Sequence, residues 1–162
     1  MKFLRVIMFD ESDRSVFERA AEPDEWAVSG AFAFVGLEDD MFTGKTRQAF
    51  ANGFLGAETF GRSTFAFVAE MTAEEEKKVL TSLAEHFVAD YGAPSVEEAL
   101  PVAHDEVKFV RELCSEKPIN TVFTVRRTRG DDGTIREEFR EITPPDQQPR
   151  HTRIWEVVED EA

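Results

Sequence analysis

The chain is 162 residues long with 41% hydrophobic and 32% charged side chains, the balance of one folded domain and not of a disordered or fibrous chain. Acidic side chains outnumber basic ones 33 to 19, a formal charge of -14. Nucleic-acid binding and docking on anionic membranes both need clustered Lys and Arg, so neither is expected. Solubility is a sufficient reason for the charge, and a basic partner is compatible with it.

Cys114 is the single cysteine, which excludes an internal disulfide and a cysteine-built zinc site. The N-terminal MKFLRVIMFDESD reaches acid too soon for a signal peptide, and no run nears the roughly 20 apolar residues of a membrane span. A cytoplasmic location is therefore expected. The 15 phenylalanines are expected mostly in the core, because phenyl carries apolar area without a polar handle.

Lys2 to Phe9 reads as a first strand, apolar on both faces and stopped by the acidic run from Asp10 to Asp13. Val16 to Glu22 is weakly patterned, with Phe17 packing down, and Pro23 with Asp24 turns the chain. Trp26 to Val35 is predicted as a second strand with a bulge or close approach at Gly30. Thr43 is placed to cap a short helix over Lys45 to Leu55, with Phe50 and Phe54 on one face and Gly53 and Gly56 closing it in a left-handed turn. Phe60 to Met71 follows as a third strand.

Thr72 and Glu75 form a capping box for the clearest helix, whose stripe is Val79, Leu80, Leu83, Phe87, Val88 and Tyr91, ended by Gly92 and Pro94. Ser95 with Glu98 repeats the box, and Pro101 is expected to divide a short turn from a helix over Val102 to Ser115. After Pro118 the period becomes two: Ile119 to Val125, the turn Gly130-Asp131-Asp132-Gly133, and a returning strand through Ile135 and Phe139 make a hairpin. Pro144, Pro145 and Pro149 make a rigid connection to a last strand over His151 to Val158 and an acidic tail. The fold expected is one α+β domain over 1–162, a mostly antiparallel sheet of about six strands covered by two or three helices.

The motifs are weighed by the chemistry each needs. Gly44-Lys45-Thr46 lacks the upstream glycine of a phosphate loop, with Asp39 in its place, and is a helix start. Arg126, Arg127 and Arg129 stand opposite Glu137, Glu138 and Glu141, which cross-strand pairing explains. His86 and Asp90 are four apart, two ligands where a hydrolytic metal site wants three, so no metal and no cofactor is expected. Cys114 falls on an apolar stripe as a buried thiol, and Ser63 has no nucleophile elbow. What remains is the glycine-rich bend from Gly53 to Ser63, expected to be open to solvent. There Asn52, Glu58, Arg62 and Ser63 are the candidate ligand- or partner-binding residues, with the Arg62 fork offered to a carboxylate or phosphate. The structural alternative is that Arg62 pairs with Glu58 or another carboxylate and simply holds the bend.

The stretches KFLRVIMFDESD, TGKTRQAFANGFLGAETFGRSTFAF, PINTVFTVRR and RIWEVVE together resemble an uncharacterised, chiefly alpha-proteobacterial family of about this length. The resemblance covers nearly the whole chain and brings no assigned activity or catalytic residue. It implies a gene neighbourhood of maturation factors for molybdenum-dependent formate dehydrogenases and a lipoate-ligase-like protein, and hence an accessory role. Three readings stand at this point. One is a non-enzymatic accessory protein holding a protein partner or small anion at the bend. Another is a small hydrolase or transferase with Arg62, Ser63, Glu58 and a histidine converging. The third is a homodimer sealed by Ile154 to Val158.

Overall fold

The computed structural model describes residues 1–142, and their architecture is α+β. β1 (Lys2–Ile7) lies at the middle of the sheet, between β2 (Trp26–Val28) and β5 (Phe65–Glu70), both antiparallel to it. Its place explains its composition: Phe3, Leu4 and Val6 are at most 1% exposed, since a central strand covered on both faces reads as a continuous apolar run. Outward from β2 come β3 (Phe54–Gly56) and the two-residue β4 (Arg62–Ser63). Outward from β5 come β6 (Val122–Arg129) and β7 (Ile135–Ile142), giving the order β4-β3-β2-β1-β5-β6-β7.

Four helices accompany the described sheet. α1 (Ser12–Val16) and α2 (Gly44–Asn52) are short, and α2 packs on β6. α3 (Ala73–Asp90) and α4 (Val96–Cys114) pack on each other, and α4 lies against β1 and β2. α3 starts at the predicted capping box: Thr72 accepts from the Glu75 N–H at 3.1 Å, and Glu75 accepts from the Thr72 N–H at 2.8 Å. Its stripe is buried at Val79, Leu80, Leu83 and Phe87, while Val88 and Tyr91 are exposed and Ala84 is buried instead.

Several expectations are corrected. The second strand stops at Val28, because Gly30 takes a left-handed φ of 77° and the chain enters a 3-10 turn over Ala31–Phe34. No other residue fits there, since a Cβ at Gly30 would lie 2.5 Å from the Leu55 Cβ and 2.7 Å from an Arg62 guanidinium nitrogen. α2 ends at Asn52, and Gly53, at φ -100, passes into β3 without a left-handed turn. Phe54 is thus a strand residue. The third strand is split at Thr64, whose N–H and hydroxyl both donate to the buried Asp13 carboxylate. With β3 added and one strand divided, the sheet has seven strands among the described residues. The predicted proline-rich connection, last strand and acidic tail, and with them the dimer seam, lie outside those residues. α4 runs through Pro101 unbroken.

The sheet is curled. In its order, three strands separate β3 from β6, yet Arg127 of β6 donates to the Gly53 carbonyl at 2.9 Å, and Phe54 of β3 meets Phe139 of β7 with ring centroids 6.2 Å apart. Those contacts need the two wings to bend toward each other. The result is a partly closed barrel that encloses side chains from both wings.

Candidate functional site

The four residues selected from sequence do not converge. Ser63 is fully buried and its hydroxyl donates to the Phe65 carbonyl at 2.7 Å. Asn52 is half-buried, accepting from Gln48 and donating to the Val125 carbonyl at 3.4 Å. Glu58 is exposed and lines a separate hollow of about 220 Å³ with Arg5, Trp26 and Lys78. Arg62 is 8% exposed, so the bend is not the open loop expected from its glycines. What closes it is a carboxylate absent from the sequence reading. Glu25, 5% exposed, accepts from the N–H groups of Glu22, Glu58 and Thr59 and from the Thr59 hydroxyl, and so staples the bend onto the edge of β2.

Arg62 has carbonyl partners in place of the expected acid. Its guanidinium donates to Gly53 at 3.1 Å and Gly30 at 3.2 Å and lies 4.7 Å over the Phe34 ring. Arg127 comes in beside it from β6, donating to the carbonyls of Phe50, Gly53 and Ser29 and to Glu137 at 2.8 Å. Burial, and then the like charge of Arg127, pull Arg62 down to about 9. Burial, and then the nearby Glu137, hold the Glu106 carboxyl up at about 7, with the Gly30 backbone opposing them.

The aromatic residues next to this pair bring perturbed groups to the edge of a hollow. Phe32, on the Ala31–Phe34 turn, packs edge-on against Phe87 at 4.8 Å, Tyr91 at 5.4 Å and His86 at 6.4 Å. Phe60, held at a positive φ of 58°, stacks on His86 at 3.7 Å, and Asp90 lies 3.0 Å from His86 Nδ1. Burial depresses His86, opposed by Asp90 and assisted by the Arg62 charge. Burial pushes the Tyr91 hydroxyl up. In front of these rings opens a cleft of about 350 Å³ walled by Phe32, Phe87, Tyr91, Pro94, Glu98 and Val102. Tyr91 and Val102 are 47% and 49% exposed.

Sequence reasoning missed the cleft because Tyr91 and Phe32 were placed in a buried stripe and a strand. The signal available was the pair of helix punctuation marks, Gly92-Pro94 and Ser95, which set two helix ends side by side. Elsewhere the motifs have plain structural roles. Cys114 is fully buried, its thiol pushed up to about 12 by burial. Among the described residues no three His, Cys, Asp or Glu side chains gather as a metal site, and no helix is long and apolar enough to cross a membrane.

The fold defines the class first: an α+β protein built on a curled sheet whose seven described strands pair antiparallel, with a helical cover. Over residues 1–159 the sequence matches a family described as a family of unknown function, DUF6505, and the chain belongs to that family. No curated protein and no solved structure matches it.

Proposed function

We propose that this protein is a binding or accessory protein, not an enzyme, and that the cleft between the Ala31–Phe34 turn, the end of α3 and the start of α4 holds a segment of a partner protein. The observation that carries this reading is an apolar wall left open to water: Tyr91 and Val102 line the hollow and stay half exposed. Exposed contiguous apolar surface with a polar rim is the mark of an interaction site. A volume of about 350 Å³ is at the small end for a ligand pocket and suits one or two inserted side chains. Arg62 belongs to this site as a charge behind its wall, acting on His86 and Tyr91, while its donors serve Gly53 and Gly30. That use of its donors favours a protein segment over a small anion. Ser63, buried and donating to a carbonyl, gives the hydrolase alternative no support. The partner we propose to seek first is a component of the maturation of a molybdenum-dependent formate dehydrogenase, the setting the sequence resemblance implies.

The test is affinity purification of the full chain from its host, comparing wild type with the double variant Tyr91→Ala, Val102→Glu. The expected result is one stoichiometric companion present with wild type and lost with the variant, whose circular dichroism stays unchanged. An identical set of companions with both chains would remove the cleft as the working surface.

A further inference from the structure

Taking the cleft as the binding surface, we infer that its occupant is a cationic, apolar segment of another protein, one Lys or Arg side chain lying between Glu98 and the Tyr91 ring and a neighbouring apolar side chain filling the hollow against Phe32 and Phe87. Among the described residues the lining contains a carboxylate, Glu98, and no Lys or Arg. Asp90, with its side chain 59% exposed, stands one residue before Tyr91. The α3 C-terminus that ends at this cleft carries no basic residue in its own last turn, so that turn supplies no cation to the negative end of its dipole. The first turn of α4, whose dipole has the opposite sign, holds Glu97 and Glu98, which offset it. The cation on the inner side, Arg62, is 8% exposed and engaged by two carbonyls, so it presents no charged head to the cleft. Aromatic faces and a carboxylate together are the surroundings that favour an alkyl-ammonium or guanidinium flanked by apolar groups. A formal charge of -14 adds long-range attraction for such a segment and repulsion toward a second copy of this chain.

The probes are two fluorescein-labelled synthetic peptides with identical Leu and Phe positions, one carrying Lys and the other Glu at the remaining sites. Binding to the full chain is read by anisotropy at physiological salt. The Lys peptide is expected to bind at least about tenfold more tightly than the Glu peptide. Tyr91→Ala should weaken the Lys peptide by about tenfold, and Glu98→Gln by a smaller factor of about three to five, with the Glu peptide not weakened by Glu98→Gln. Equal affinities, or a Lys-peptide affinity unmoved by Tyr91→Ala, would overturn the inference, the latter by assigning the binding to diffuse surface charge. A dimer in sedimentation that Val102→Glu dissolves would put a second copy in the cleft instead. If affinity purification yields a companion bound through the cleft whose contacting segment is acidic, the cationic occupant is wrong while the cleft reading stands.

Discussion

Every nitrogen of the Arg127 guanidinium is engaged. Nε donates to Glu137, Nη1 to the carbonyls of Phe50 and Gly53 at 2.9 Å, and Nη2 to Ser29, on a side chain with no exposure. Arg127→Met would leave Glu137 without its cation and the Phe50 and Ser29 carbonyls without this donor, a loss of about 3–5 kcal/mol. Urea denaturation is the measure, and adding Glu137→Gln should restore part of the loss, because no charge is then stranded. Glu106 supplies a pH dependence. Its folded-state carboxyl titrates near about 7 against 4.5 ordinarily, so between those values the folded chain holds more protons than the unfolded one. Its contribution to stability is therefore full below about 4.5 and is lost as the pH rises through about 7. Glu106→Gln, which keeps the size and polarity of the side chain, should raise the melting temperature at pH 8 and leave it near wild type at pH 4.5; equal shifts at both would contradict the assignment. At this scale the sequence set the Arg126, Arg127 and Arg129 cluster opposite Glu137, Glu138 and Glu141, and the register resolves it into Arg127 opposite Glu137 and Arg126 opposite Glu138. Which face of the hairpin points inward depends on the curl, and that is not written in the alternation of one strand. Arg129 and Glu141 accordingly have other partners, Asp39 and Lys117.

Among the elements, α4 holds a residue at odds with its helix. Pro101 has no N–H for the Glu97 carbonyl, yet the helix continues because Ala103, Val107, Val110 and Cys114 beyond it are buried at 2% exposure or less. The proline itself faces water, where the freed carbonyl is solvated. Pro101→Ala should therefore stabilise the protein by about 2 kcal/mol, the gain of a helix-interior bond less the added freedom of the unfolded chain. Differential scanning calorimetry reads this directly, and an unchanged or lowered melting temperature would mean that Pro101 is not a defect in this helix. Long helices with complete start and stop chemistry were legible, as at Thr72, Glu75 and Gly92. Short elements were not. β3 is three residues long and β4 two, below the length at which a period can be recognised, and each exists only because a neighbouring strand is there to pair with it.

For the whole molecule, the class of fold followed from the order of long periodic segments, and the curl did not, because it arises from contacts between residues distant in sequence. The candidate site shared that fate. Its four sequence-selected residues were chosen for exposure inferred from glycines, but at Gly30 and Gly56 the missing Cβ makes room for Arg62 and for the Glu25 carboxylate, not for a ligand. The cleft instead lies where two helix ends and a 3-10 turn meet, a junction of three segments that no local window contains.

The Arg127 clasp also dictates a schedule. It ties Ser29 to a residue 98 positions later and Phe50 to one 77 positions later. During synthesis the first wing therefore leaves the ribosome with its closing side chain still untranslated, and the Ser29 carbonyl waits for its Arg127 donor until the hairpin emerges. Closure of the barrel is therefore expected late in folding, after the helices have had time to form, and chains interrupted before β6 are expected to aggregate through the unfastened sheet.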